Sequence, residues 1–212
     1  MNRLLAQPLA RPLLVLAIVA PLLWLLHGAA TDRLGANPAE ALIRASGEWT
    51  LRLLCLTLAV TPLREATGWS ALARLRRLLG VATFGWALLH LLAYAWLDMG
   101  LIAADILRDI AKRPFILVGT LTLLLMLPLA ATSFDRAVRA LGARRWRLLH
   151  RTVYLLAPLA LLHFYWMRAA KGDLAEVGVY AAIVALLLGW RLVRLVRRPR
   201  RPPADRGQID IR

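Results

Sequence analysis

Long apolar runs dominate this sequence, and charged residues or Pro and Gly separate each run from the next. The runs lie at about residues 12–27, 50–62, 78–97, 115–131, 149–167 and 177–196. A helix needs about 20 mainly apolar residues to cross a bilayer, and 60% of the 212 residues are hydrophobic. Because open strands would leave backbone groups unpaired in lipid, we predict an all-α integral membrane protein, a bundle of six transmembrane helices.

The first apolar run has a second interpretation, as a cleaved signal peptide. Arg3 and Arg11 precede it, and small residues follow it. The run continues through Trp24 and His27, and five further runs follow. A retained first helix is therefore the simpler interpretation.

Basic residues are distributed unevenly between the connections. Of the 28 Lys and Arg residues, 20 lie in the N-terminus, in the two connections 63–77 and 133–151, and from residue 191 onward. The positive-inside rule then predicts that both termini are cytoplasmic. It also explains the net charge of +16 without nucleic acid. We expect residues 1–11 to be a cytoplasmic N-terminus, 12–196 the membrane domain, and 197–212 a basic, disordered cytoplasmic tail on anionic membrane lipid.

Thiol chemistry and transport are both poorly supported by the side chains inside the runs. Cys55 is the single cysteine, which excludes a disulfide framework and a CxxC redox pair. The runs contain few polar residues that could line a path, so a small transporter or channel is the weaker hypothesis.

Of the four histidines, His27 ends the first run, and the other three, His90, His150 and His163, lie in the third and fifth runs. Ionisable residues at membrane depth are costly and usually functional, although a single histidine is often satisfied by a hydrogen bond between helices. Imidazole is also a haem ligand. His90 and His163 occur late in two helices that run in the same direction, so we expect them to face one haem at the outer level.

A second pair of candidate residues, Arg76 and His150, lies nearer the cytoplasmic surface. Arg76 precedes His90 by 14 residues and His150 precedes His163 by 13, which places this level about 20 Å from the first. On an ideal helix 14 residues return to within about 40° of the same face, whereas 13 residues miss it by about 140°. His150 would therefore need a kink at Pro158 to face the same side as His163.

Short motifs occur in unbroken order over about residues 20–170 and carry a resemblance to a known family. They are Leu34-Gly35-Ala36-Asn37-Pro38, Thr61-Pro62-Leu63, Arg76-Arg77-Leu78-Leu79-Gly80, Phe84, Trp86-Ala87, Leu89-His90-Leu91, Tyr94, Arg113-Pro114, Ala131-Thr132-Ser133, Leu141-Gly142, Arg145-Trp146, Leu149-His150, Val153-Tyr154-Leu155 and His163-Phe164-Tyr165-Trp166. On these residues the chain resembles the MsrQ (formerly YedZ) family. Its members are haem-binding membrane subunits of the periplasmic methionine-sulfoxide reductase system, within the ferric-reductase-like transmembrane group.

The resemblance implies one or two b-type haems, with His90, His150 and His163 at metal-ligand positions, and FMN as a further cofactor. The wider group has histidine where this chain has Arg76, which puts the inner haem in question. Three readings of Arg76 stay open: ligation of the iron, pairing with a haem propionate, and snorkelling to the membrane surface.

The resemblance also implies a role in electron transfer in the bacterial cell inner membrane. Electrons would come from the quinone pool or a cytoplasmic flavin reductase and leave to the periplasmic catalytic subunit MsrP, so this chain would not itself reduce sulfoxides. Asp98, Asp105 and Asp109 are candidates for docking that partner. The alternatives are a stand-alone ferric or metal reductase and an assembly scaffold without cofactor.

Overall fold

A computed structural model describes residues 2, 7–169 and 172–197. Eight α-helices have their bounds inside these ranges: α1 Ala10–Ala30, α2 Pro38–Thr67, α3 Leu72–Ala93, α4 Ala103–Lys112, α5 Pro114–Ala131, α6 Asp135–His150, α7 Val153–Ala169 and α8 Ala175–Val196. A π-helical turn, Tyr94–Asp98, continues α3. The described residues form no strand, which confirms the all-α prediction. The predicted tail beyond Arg197 lies outside the described residues.

Several helices have the length and apolar composition of membrane spans. These are α1, α3 with its π-helical turn, α5 and α8; α7 is a shorter apolar helix of 17 residues. Helix α2 has 30 residues, and Glu40, Arg44, Glu48 and Arg52 occupy its first half, so its apolar part matches the predicted run 50–62. The total of six spans stays a prediction.

The ends of the helices follow local sequence signals. Helix α2 begins with Pro38 at its first position, and the Asn37 side chain accepts a hydrogen bond from the Glu40 backbone N–H at 3.1 Å. It ends at Gly68, whose φ of +72° is the left-handed conformation that glycine adopts readily. Pro114 likewise opens α5.

Two helices occupy segments that the sequence analysis treated as plain connections. Helix α4 joins the π-helical turn to α5, and α6 joins α5 to α7. Both carry charged residues along their length, and neither contains a buried residue. Both therefore lie at the ends of the bundle.

The bundle has its core between helices and an apolar outer surface. Helix α2 is central, because Leu51, Leu54 and Leu58 pack against α7 and α8 while Leu53 packs against α1 and α3. Many large apolar side chains point outward from α1, α5 and α8. Such a surface is unfavourable in water and suits contact with lipid.

A proline inside α2 leaves one backbone carbonyl free, and another helix satisfies it. Pro62 has no N–H, so the Leu58 carbonyl four residues earlier lacks its helical donor. Arg191 of α8 donates a hydrogen bond from Nη2 to this oxygen. Because water cannot supply a partner in lipid, this bond fixes α8 against α2.

Arg168, at the end of α7, is only 4% exposed and joins three parts of the chain. Its guanidinium donates to Glu48 of α2 at 2.9 Å, to Asp173 at 2.9 Å and to Glu176 of α8 at 2.5 Å. A buried charge is tolerated when it is paired in this way. This cluster holds α7 in position five residues after His163.

Candidate functional site

His90 of α3 and His163 of α7 come together inside the bundle. Their ring centroids are 6.1 Å apart, and the ring planes meet at 76°. The two residues are 73 positions apart in the sequence, so the packing of the helices brings them together. The structure thus places these two predicted ligands beside each other.

Each of the two rings is held by a backbone carbonyl from a neighbouring helix. His90 Nδ1 lies 2.9 Å from the Ile43 oxygen of α2, and His163 Nδ1 lies 2.6 Å from the Phe115 oxygen of α5. A carbonyl can only accept, so each ring carries its hydrogen on Nδ1 and keeps a lone pair on Nε2. Metal-binding histidines are usually oriented by this kind of bond.

A cavity of about 570 Å³ lies beside the two rings, between α2, α3, α5 and α7. Its volume falls in the range of about 300–1,000 Å³ that is typical of ligand sites. Gly47 and Gly119 form the walls next to the rings. A Cβ atom at Gly119 would lie 2.8 Å from His163 Cε1, and one at Gly47 would lie 3.1 Å from His90 Cε1. The glycines therefore leave room for the imidazoles.

The donor set fits a haem. Bonds from a metal to imidazole nitrogen are about 2 Å long, so two rings on one iron have centroids about 6 Å apart, as observed here. Within the described residues no group of three or more His, Cys, Asp or Glu side chains could hold a metal ion. Two imidazoles beside a large apolar cavity suit a cofactor that brings its own four nitrogen ligands, which is a porphyrin.

His150 and Arg76 lie in another region: His150 ends α6, and Arg76 lies near the start of α3. His150 Nε2 is 3.1 Å from Thr132 Oγ1, and its ring stacks on Trp146 at 4.0 Å. Arg76 is exposed. Burial and, to a smaller extent, the charge of Arg76 lower the pKa of His150. The structure thus brings these two residues near each other, and their role as an inner haem site stays a prediction.

Comparisons with known proteins agree with this geometry. The family model described as "Ferric reductase like transmembrane component" matches residues 46–161. A relative from Polaromonas naphthalenivorans, named protein-methionine-sulfoxide reductase heme-binding subunit MsrQ, is 56% identical over 207 residues, covering 98% of this chain and 94% of the relative. Proteins of the same name from Ralstonia nicotianae and Herminiimonas arsenicoxydans are 50% and 42% identical, over 93% and 96% of this chain and 91% and 94% of their own lengths.

The chain belongs to the MsrQ family. The resemblance found in the sequence is thereby confirmed, and the apolar helices together with the family model make the chain a multi-pass membrane protein. No solved structure matches it significantly.

One sequence prediction about this MsrQ-family site needs correction. His150 was expected to begin the fifth span, with Pro158 turning it toward the side of His163. In the structure His150 ends α6, and α7 begins only at Val153 after a short turn. The two histidines lie on different helices, so the 140° offset expected for a single helix does not apply.

The residues that support the two rings were not predicted from the sequence. Ile43 and Gly47 were assigned to a connection, although they lie in the first half of α2. Gly119 lies within the predicted run 115–131, and a Cβ atom at this position would meet the His163 ring. Backbone carbonyls, such as that of Phe115, leave no signal in a sequence.

The polar end of the cavity holds a second arrangement that the sequence analysis missed. Arg44 and Arg113 line this end and are partly exposed, whereas residues such as Leu54 at the other end are buried. Asp109 of α4 accepts hydrogen bonds from Tyr94 Oη at 2.7 Å and from Arg113 Nε at 2.8 Å. Asp109, a predicted docking residue, therefore has both carboxylate oxygens engaged inside the protein.

Proposed function

We propose that this chain carries electrons across the bacterial cell inner membrane to a periplasmic methionine-sulfoxide reductase catalytic subunit, MsrP, through b-type haem. One observation carries this proposal: His90 and His163 face each other beside an apolar cavity, each with a free Nε2 lone pair. The name of the MsrQ relatives, heme-binding subunits of a methionine-sulfoxide reductase, supports the same role.

Different residues of the site would have different roles in holding a haem. His90 and His163 would hold the haem iron through their Nε2 atoms, and the Ile43 and Phe115 carbonyls fix the direction of both rings. The apolar side chains that line the cavity would keep water away from the iron. A haem bound there would supply reversible one-electron transfer. Helices α3 and α7 are rigid elements, so the two imidazoles need little rearrangement.

We propose a second, inner haem site at His150 and Arg76. Burial lowers the pKa of His150, which favours the neutral imidazole that a ligand requires, although its Nε2 lies near Thr132 Oγ1 in this structure. Arg76 would ligate the iron, pair with a propionate or extend to the membrane surface. FMN is proposed as a further cofactor from family resemblance alone, with no residues assigned to it.

The direction of electron flow follows from the proposed orientation, with both termini in the cytoplasm. The quinone pool or a cytoplasmic flavin reductase would reduce the chain near His150. The periplasmic partner would take electrons from the end of the bundle that holds His90 and His163. The chain would then serve as an electron-transfer subunit, and the partner would reduce the sulfoxide.

Replacement of the two histidines tests the proposal. We expect His90→Ala and His163→Ala each to remove one haem in the pyridine haemochrome assay and to diminish the dithionite-reduced minus oxidised spectrum. His27→Ala is the matched control, because His27 is exposed on α1. Full haem retention in both site variants would contradict the assignment. Reduction of ferric chelates without the partner would favour a stand-alone metal reductase.

A further inference from the structure

Helix α6 and the turn after it present a cluster of exposed arginines that the proposed electron transfer does not use. We name this surface the arginine patch; its members are Arg136, Arg139, Arg144, Arg145, Arg147 and Arg151. None of them forms an ion pair with a carboxylate among the described residues. The only acidic residue of α6, Asp135, pairs with Arg77 of α3, and this guanidinium and, to a smaller extent, the charge of Arg139 lower the pKa of Asp135. The patch thus carries a large excess of positive charge.

The patch is held against the ends of the apolar helices. Helix α6 starts four residues after α5 ends and stops three residues before α7 begins, and it is kinked at Gly142, whose φ of +73° is not helical. Trp146 Nε1 donates to the Thr132 carbonyl at 2.9 Å, and Arg77 binds Asp135 near the start of the helix. Both ends of α6 are therefore fixed to the bundle, at the level where the apolar surface stops.

Exposed apolar side chains accompany the arginines. Phe134 is 53% exposed just before α6, and Leu148 is 65% exposed within it. A basic helix with exposed apolar residues, next to membrane-crossing helices, is typical of the boundary between headgroups and acyl chains. An acidic soluble protein would match the charge of the patch and would leave these apolar side chains without a matching environment.

We propose that the arginine patch binds the headgroups of anionic phospholipids. Phosphate oxygens would accept hydrogen bonds from the guanidinium groups, which suit phosphate through their planar, multiply donating shape. Phe134 and Leu148 would contact the first carbons of the acyl chains. This inference goes beyond the proposed function and is independent of haem binding, since it involves none of the proposed ligands.

Native mass spectrometry of the purified full chain can test the lipid preference. The protein is extracted into detergent with equal amounts of phosphatidylglycerol and phosphatidylcholine, and the ratio of the two retained lipids is measured. The test variant is Arg136→Gln with Arg139→Gln and Arg147→Gln. The control variant is Arg33→Gln with Arg108→Gln and Lys112→Gln, which removes the same charge from the other end of the bundle.

The wild type should retain phosphatidylglycerol over phosphatidylcholine. Each arginine near an anionic headgroup contributes about fivefold to binding, so the patch variant should lose at least about tenfold of this preference, and the control variant should keep it. Lysine at the same three patch positions should preserve most of it, because lysine keeps the charge.

Two results would overturn the inference: no preference for phosphatidylglycerol in the wild type, or an equal loss in the patch and control variants. If the triple variant does not purify as a single species, the ratio of retained phosphatidylglycerol to phosphatidylcholine is measured for Arg139→Gln alone, and it should be lower than in the wild type. Haem content, measured in each sample, reports separately on the proposed function.

Discussion

The directions of the two histidine rings depend on atoms from helices that carry no histidine. The Ile43 and Phe115 carbonyls hold the Nδ1 atoms, and Gly47 and Gly119 leave space beside the rings. Main-chain carbonyls cannot be removed by substitution of a side chain. The glycines can be changed, so they give access to the geometry of the site.

Gly119→Ala should reduce haem binding more than Gly47→Ala. The new Cβ would lie 2.8 Å from two atoms of the His163 ring, against 3.1 Å at the closest for the His90 ring. Overpacking of this kind costs about 1–3 kcal/mol. At Gly119 the cost would arise because the added Cβ displaces the His163 imidazole from its position. The measurement is haem per protein by pyridine haemochrome. Gly85→Ala is the control, because nothing lies within 4 Å of its new Cβ; equal haem in the Gly119 and Gly85 variants would refute the prediction.

Helix α4 has no buried residue, and one carboxylate helps to tie it to the bundle. Asp109→Ala should lower the thermal stability of the detergent-solubilised protein, because it leaves the Tyr94 hydroxyl and the Arg113 guanidinium without their partner. Loss of charged hydrogen bonds costs about 1.5–3 kcal/mol. Asp105→Ala removes only an exposed pair with Arg108, which contributes about 0–1 kcal/mol. Similar midpoints of thermal unfolding for Asp109→Ala and Asp105→Ala would argue against this role of Asp109.

The contact between α2 and α8 offers a test by double substitution. Arg191→Met should destabilise the protein by about 1–3 kcal/mol, since the Leu58 carbonyl then loses its donor. Pro62→Ala restores an N–H at the position that normally serves this carbonyl. We therefore expect Arg191→Met to cost less in the Pro62→Ala background, measured by unfolding in detergent. If the free-energy changes of Arg191→Met and Pro62→Ala simply add, Arg191 does not stabilise the protein through the Leu58 carbonyl.

Hydropathy predicted the helices that are uniformly apolar and failed where charge enters a helix. The apolar runs of α3, α5 and α8 lie close to the observed bounds. The start of α2 was missed because Glu40, Arg44 and Glu48 resemble a connection. In the structure Glu48 pairs with Arg52 and with the distant Arg168. Such pairs depend on packing that a single sequence does not reveal.

At the scale of the whole molecule, the number of haems depends on whether both predicted pairs of residues, one at each depth in the bundle, form a site. His90 and His163 lie at one end of the bundle, and His150 and Arg76 lie at the other. The similar spacings of 14 and 13 residues were visible in the sequence. The break between α6 and α7 was not, because Arg151 and Thr152 give no strong signal for a turn.

Arg76→Ala distinguishes one haem from two. If Arg76 contributes to an inner site, we expect two haems in the wild type and one in the variant, by pyridine haemochrome and by the reduced minus oxidised spectrum. Arg74→Ala is the matched control, because Arg74 is also exposed near the start of α3. One haem in the wild type, unchanged by Arg76→Ala, would assign Arg76 to the membrane surface.

The angle of 76° between the His90 and His163 rings has an electronic consequence for a bound iron. Parallel imidazole planes interact with the same iron d orbital and split the pair of π-symmetry orbitals. Nearly perpendicular planes interact with one orbital each and leave the pair close in energy. A ferric haem held by both rings at this angle would keep more orbital angular momentum, and we expect it to give a strongly anisotropic low-spin signal in electron paramagnetic resonance.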